Sequence, residues 1–437
     1  MESIEPRLLK RFFAAVAAAA LLVPVFILAA QAAGGEKTAD VFRDPNGRLM
    51  SVARMGDWRN YPENSAAGIR SCIAMGVDII EVDVRKAADG TMMLFKDDDL
   101  SRTCVGPDGK PAEGKVSQKT ALELNALNLR QGQGGQNMPA TPYNPSTLRE
   151  AMAACKGQAM LMLDADWALR DDIYDELKEA GAMSTAVFRF DAKAKELAEW
   201  VLEKNPMPQA MGYYKGNVVF LAARVADICI ENRLPAVEYA TGNTYSVLFN
   251  QFTLGRFKGE SRLFISTADK KLCGGREDNS DGWDDLVSRG YSVIETDYPQ
   301  DLVDYIKETG KSGEKLEQTV REAKKIEPKK YSGNSVEALN ESLEQAAELL
   351  EKGGASKNQL ENACYDLRQK TELLEGANGT LPEGRPVITS GRITAAVLCS
   401  LGVLAAQIYT FKKTGRKEGR PTLTGVETDG KEQKNEP

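Results

Sequence analysis

The chain has 437 residues, 42% of them hydrophobic and 27% charged, with 38 glycines against 18 prolines, which are globular proportions that exclude a disordered or fibrous protein. A net charge of −7 excludes a nucleic-acid partner, because such binding needs a basic surface to replace condensed counterions. The chain contains no histidine, so any proton transfer near neutral pH must come from another side chain.

Residues 1–32 carry Arg7, Lys10 and Arg11, an apolar run from Phe12 to Ala30, and then Ala30-Gln31-Ala32, the small-residue pattern of a secretory cleavage site. The run is long enough that an uncleaved anchor also fits, but the small residues favour a leader cut near Ala32.

From about residue 39 to 309, apolar runs rich in β-branched residues alternate with amphipathic stretches, the pattern of repeated β/α units. Strands are predicted at Leu49–Arg54, Val77–Val84, Ala159–Asp164, Thr185–Phe190, Ala210–Tyr214, Ala236–Tyr239, Leu263–Ser266 and Ser292–Thr296. Eight units in about 250 residues predict a (β/α)8 barrel. Thr91–Phe95 is a further strand, paired to the second as a hairpin through Ala88-Asp89-Gly90.

Beyond Thr309 the chain is charged and strand-poor. Leu316, Val320, Ala323 and Ile326, then Val336, Leu339, Leu343, Ala346 and Leu350, then Leu360, Ala363, Leu367 and Leu374 repeat at helical spacing. This predicts a three-helix module over 313–376, with Ser356 capping its third helix. The module is similar to FIVAR modules of bacterial surface proteins, which suit surface protein contacts, and a plain helical spacer fits the same pattern. A linker at 377–392 leads to an apolar stretch, 393–411, just long enough to span a bilayer. Lys412, Lys413, Arg416, Lys417 and Arg420 follow it, so the positive-inside rule puts the tail, 412–437, in the cytoplasm and the bulk of the chain outside a cell membrane crossed once. Seven cysteines are scattered, with no CxxC, and buried free thiols are expected in a domain of this size.

The chemistry-bearing residues fall at strand ends. Arg54, Glu81, Asp83, Lys96, Asp164 and Asp297 lie at or just after the C-terminal ends of predicted strands, the face on which barrel enzymes carry their sites. Residues i and i+2 of a strand share a face, so Glu81 and Asp83 project together and Asp164 can join them from a neighbouring strand. Three carboxylates suit Mg²⁺ or Ca²⁺, and salt bridges to rim lysines are the structural alternative. Trp58, Trp167 and Trp283 stand on rim loops, as binding surface or as core.

Val52-Ala53-Arg54-Met55-Gly56, Pro62-Glu63-Asn64, Glu81-Val82-Asp83-Val84, Phe95-Lys96-Asp97-Asp98-Asp99-Leu100-Ser101-Arg102-Thr103, Thr147-Leu148-Arg149-Glu150, Leu163-Asp164-Ala165-Asp166 and Glu295-Thr296-Asp297-Tyr298-Pro299 together resemble the glycerophosphodiester phosphodiesterase family over about residues 49–306. The resemblance implies a TIM barrel of the PLC-like phosphodiesterase type, a metal at Glu81, Asp83 and Asp164, and a glycerophosphodiester or phospholipid headgroup as ligand. It places Glu63 and Asn64 on the first loop as residues that shape the substrate site, with a helix cap as the other role open to Asn64. Asp166 stands where the family often carries a lysine near the phosphate.

The two family histidines are replaced by Arg54 and Lys96, and the arginine beside the first is Met55. Arginine cannot serve as a base. Lysine can serve as an acid, but the neighbouring Asp97, Asp98 and Asp99 are expected to raise its pKa. A barrel that binds a phosphodiester through a metal and two fixed cations without turnover is the favoured reading; an active phosphodiesterase with an altered acid and base pair is the alternative, and a mere scaffold the third.

Overall fold

Each of the eight runs forms a strand within two residues of its expected bounds, in the order β1 (Met50–Ala53), β2 (Ile79–Lys86), β6 (Met160–Ala165), β7 (Ala186–Arg189), β8 (Gln209–Lys215), β9 (Ala236–Ala240), β10 (Arg262–Ser266) and β11 (Tyr291–Thr296). This is a computed structural model, and it describes residues 38–374 apart from 217, 244, 245 and 250. The expected leader, linker, membrane span and tail lie outside the described residues. No helix among the described residues is long and apolar enough to cross a membrane.

Neighbouring strands pair in parallel, and β1 pairs with both β11 and β2, so the sheet closes into an eight-stranded barrel. The expected hairpin is present: β3 (Met92–Leu94) runs antiparallel to β2, and Gly90 takes the positive φ its turn requires. Two further strands, β4 (Cys104–Val105) and β5 (Asn128–Leu129), pair in the excursion after β3 and were not read from the sequence. Two residues carry no periodicity from which a strand can be recognised. That excursion packs its own cluster of Phe95, Leu100, Cys104, Val116, Leu124 and Leu129.

The helices are α1 (Ala66–Met75), α2 (Ala121–Asn125), α3 (Leu148–Cys155), α4 (Arg170–Ala180), α5 (Ala194–Glu203), α6 (Val219–Glu231), α7 (Gln251–Leu254), α8 (Ser280–Ser288), α9 (Pro299–Ala323), α10 (Gly333–Lys352) and α11 (Lys357–Glu372). The motif Thr147-Leu148-Arg149-Glu150 is a capping box on α3, and Ser356 caps α11 as expected. Pro299 opens α9 at a position where its missing N–H costs nothing. A sequence boundary expected between 309 and 313 falls inside α9, which runs unbroken. Its first half buries Leu302, Val303 and Tyr305, and its second half buries Leu316, Val320 and Ala323. Residues 327–336 group apart from this body and hold the 3₁₀ turn Pro328–Lys330 and the start of α10.

Alternation divides the strand residues between two cores. Outward side chains pack under the helices in the larger cluster. Inward side chains make a second, apolar layer: Met50, Val52, Ile79, Met160, Met162, Val187, Met211, Phe264 and Val293, joined by Ala39 and Phe42 of a helical segment at 38–43. Arg262 secures that segment, donating to the carbonyls of Val41 (2.7 Å) and Gly47 (3.2 Å). One end of the barrel is thus filled with hydrocarbon. The same strands, two residues further on, present polar groups at the other. The six described cysteines are buried, unpaired thiols, as expected for a barrel that needs no staples.

Candidate active site

The polar end is built by the strand period. Glu81 and Asp83 project inward from β2, and Asp164 is the register partner of Asp83 on β6. The three each bring a carboxylate oxygen within 4.8 Å of one another. That span is about twice a Ca²⁺–oxygen distance, so one cation can touch all three. Glu81 is buried, and burial together with the charges of Asp83, Glu295 and Asp164 raises its pKa well above the usual carboxylate range. Burial also pushes Asp164 up to about 6, against the pull of Arg189. Carboxylates raised this way lack sufficient positive charge, and the donor set fits a hard divalent cation.

Two residues in the left-handed region shape the first loop. Met55 (φ 53) aims its N–H at Glu81 Oε2 (2.6 Å), and Asn64 (φ 56) is held by Met55 O (3.0 Å). The Asn64 amide then grips Asp83 from both sides, Nδ2 donating to Oδ2 (2.8 Å) and Oδ1 accepting the Asp83 N–H (2.9 Å). A helix cap was the other role open to Asn64. Ser65 is the cap instead, accepting from Gly68 N, which leaves Asn64 to fix a carboxylate.

Glu63 is buried in a fork with Arg102 (2.7 and 3.0 Å), and Arg102 also donates to Asp97. It braces the rim and takes no part in the carboxylate cluster. Asp166 lies on the surface, with its side chain 68% exposed and paired to Arg85. Arg85 in turn donates to the Lys96 carbonyl (2.8 and 3.1 Å), so Asp166 acts on the site only through the backbone at Lys96.

Arg54 and Lys96 differ in what they can offer a ligand. Arg54 forms a bidentate pair with Asp297 (2.8 and 2.9 Å), and Trp58 Nε1 donates to the same carboxylate (2.7 Å). Asp297 is itself held by Asp278, which accepts its N–H (2.8 Å). Burial pulls the Arg54 pKa down, but Asp297, Glu295 and Glu81 outweigh it and keep the guanidinium charged. Lys96 Nζ lies 3.3 Å from Asp83 Oδ1 with 41% of its side chain exposed, against 20% for Arg54. Its pKa is lowered by burial and raised more by Asp83, Glu81 and Asp164. The expected direction holds with different partners. Asp97 pairs with Arg102, Asp98 with Ser117 and Lys115, and Asp99 with Ser101, so none of the three neighbours in sequence is spent on Lys96.

Sequence reasoning missed Arg189, which ends β7 and donates to Glu238 (2.8 and 2.9 Å), Glu295 (3.2 Å) and Asp164 (3.4 Å). Glu238 is wholly buried on β9. Trp283 is core yet donates from Nε1 to Asp278 (3.0 Å), Trp167 packs edge-on to Phe190 and Trp200, and Trp58 reaches Asp297 directly.

Residues 56–206 match the model of the glycerophosphoryl diester phosphodiesterase family. The chain carries a domain of that family. A glycerophosphodiester phosphodiesterase of Caldanaerobacter subterraneus subsp. tengcongensis is 32% identical over 18% of this chain and 31% of its own length. Human glycerophosphodiester phosphodiesterase 1 is 30% identical over 25% of this chain and 31% of its own. The chain thus spans about a third of the length of these curated relatives. A glycerophosphoryl diester phosphodiesterase structure from Parabacteroides distasonis aligns with 61% of this chain and 90% of its own at 19% identity and a TM-score of 0.48.

Within this glycerophosphoryl diester phosphodiesterase domain the matched residues supply Glu81, Asp83, Lys96, Asp164 and Arg189. Glu238 and Glu295, on strands beyond residue 206, and Asp297, just after β11, close the ring around them. Arg54 lies just before the matched segment.

Proposed function

We propose that the barrel binds a phosphodiester, free or as a phospholipid headgroup, and is impaired in its hydrolysis. The observation that carries this reading is the state of the two cations at the rim of a chain without histidine. Arg54 is committed to Asp297, and Lys96 is held in its charged form by three carboxylates. A divalent cation held by Glu81, Asp83 and Asp164 would neutralise the cluster and polarise a phosphoryl oxygen. Lys96, the more exposed of the two cations, donates from Nζ to a second phosphate oxygen, a charge-assisted bond. Asn64 and the Met55 N–H keep Asp83 and Glu81 aimed for that purpose. The proton of an attacking hydroxyl needs an acceptor with a pKa near the working pH, and neither an arginine nor a lysine stabilised as ammonium provides one.

The same reading places the barrel outside the cell, released by the leader at 1–32 and anchored through 393–411. Its support is the apolar runs and the lysines and arginines after the second of them.

The test uses the full chain with glycerophosphocholine and glycerophosphoethanolamine, each with Mg²⁺ or Ca²⁺. No release of glycerol 3-phosphate is expected, while calorimetry shows binding that weakens about tenfold or more in Lys96→Ala, the worth of a lost hydrogen bond to a charged group. Metal-dependent release that vanishes in Glu81→Ala would overturn the impaired reading in favour of an active enzyme with an altered acid. Neither heat nor release would leave a scaffold.

A further inference from the structure

Val218, Val219, Phe220 and Leu221 are 52%, 39%, 73% and 50% exposed. Val218 is the N-cap of α6 and Val219, Phe220 and Leu221 are its first three residues, so the cap and nearly all of the first turn have no buried face. Other large apolar side chains that are exposed, such as Leu122, Leu202 and Met207, occur singly in the chain, as surface apolar residues ordinarily do. One turn further on, Ala222 and Ala226 are fully buried. The body of α6 therefore lies against the barrel while its first turn stands clear.

The turn is held in place at its base. Tyr214 Oη donates to Val218 O (2.8 Å) and accepts from Val218 N (3.1 Å), and the Tyr214 ring packs against Tyr239, tilted by 35° with centroids 5.3 Å apart. Its position gives it meaning. β8 ends at Lys215, and all eight barrel strands run the same way, so the turn rises from the rim that carries Glu81, Asp83, Asp164 and Lys96. The tip and the mouth therefore lie at the same end of the barrel.

We propose that this turn is a wedge that inserts into the interfacial region of a lipid bilayer and seats the mouth of the barrel on it. The ligand is then a phosphodiester still embedded in the membrane surface, an inference that rests on the proposed function and narrows its substrate class. A lipid surface fits this tip better than a protein partner does. Four side chains expose at most a few hundred Å², short of the roughly 800 Å² per partner that a stable protein interface buries. A bilayer interface rewards each inserted apolar side chain separately and needs no matching surface. Lys215, exposed just before the tip, can extend along it and leave its ammonium among phosphate headgroups.

The test places an environment-sensitive fluorophore on Phe220→Cys in the full chain, reconstituted with vesicles of phosphatidylcholine and phosphatidylglycerol. The control is the same label on Lys258→Cys, exposed before β10 at the opposite end of the barrel. The native cysteines among the described residues are buried and compete poorly for the label. A blue shift and quenching by acyl-chain nitroxides at 220, absent at 258, are expected. The change Val218→Ser, Val219→Ser and Leu221→Ser, all at exposed positions, should abolish both with the label kept at 220. A label at 220 that behaves like the one at 258 overturns the proposal, as does a shift that follows protein concentration without lipid. Because this readout needs neither ligand nor turnover, it fails or succeeds independently of the calorimetry with soluble diesters.

Discussion

Arg189 shows how much one side chain can decide. Nearly buried, it holds Glu238 in a fork and reaches Glu295 and Asp164, so it is the counter-charge for two carboxylates sealed inside the barrel and one at its mouth. Removing one partner of such a group costs more than the group contributes, because the charges left behind stay desolvated. Arg189→Met is expected to lower stability by about 3–5 kcal/mol, read as a drop in the urea midpoint. Adding Glu238→Gln should recover part of the loss, since the wholly buried charge is then gone. A single variant that loses less than about 1 kcal/mol would mean that water already reaches these carboxylates.

At the scale of elements, one carboxylate ties the start of α11 to both α8 and α9 where the barrel meets the helices that follow. Asp284 of α8 accepts from Tyr305 Oη of α9 (3.1 Å), from Ser356 Oγ (3.0 Å) and from Asn358 N at the start of α11 (3.1 Å). Below it, α9 and α11 meet through Leu316, Val320, Leu360 and Leu367, all buried, and through Thr319 Oγ1 against Cys364 Sγ (3.3 Å). Asp284→Ala strands three donors at a cost of about 1–3 kcal/mol. Amide exchange should accelerate in Lys357–Glu372 while the barrel strands keep their protection, and Asp284→Asn should do less. Unchanged exchange in α11 would show that the apolar seam holds it unaided. The same elements mark what the sequence could disclose. Every barrel strand follows from a short apolar run, and the shared face of Glu81 and Asp83 from the two-residue strand period. The Arg189–Glu238 pair does not, because its members are 49 positions apart and each sits in a short strand buried on both faces. The boundary expected near 309 lies within a continuous helix, and the sequence hides that continuity for a related reason. The apolar stripe of α9 passes from Tyr305 to Leu316 through Gly310 and Gly313 without a cap, so a change of packing partner looks like a change of element.

For the molecule as a whole, the carboxylate rim sets how stability depends on pH. Glu81, Asp164, Glu63 and Glu238 all have folded pKa values above their ordinary ones, burial being the largest cause in each case. In the window between about 4, the unfolded value, and the value of about 6 reached by Asp164, the folded chain holds protons that the unfolded chain has released. Folding stability therefore falls as pH rises through that window. Surface carboxylates with lowered pKa, such as Asp98 and Asp285, act in the opposite sense but below their ordinary value of 3.8, so the two effects do not overlap. With chelator present, Tm is expected to decline from about pH 5 to pH 7.5, by about 2–4 °C for each kcal/mol lost. Ca²⁺ or Mg²⁺ binds the ionised cluster and must displace protons at the lower pH, so the rise in Tm it produces should be larger at pH 7.5 than at pH 5. Glu81→Gln should make the decline shallower, because Asp164, Glu63 and Glu238 still contribute to it, and should abolish the cation response. A cation response of equal size at the two pH values, or one that survives Glu81→Gln, would put the bound ion somewhere other than Glu81, Asp83 and Asp164.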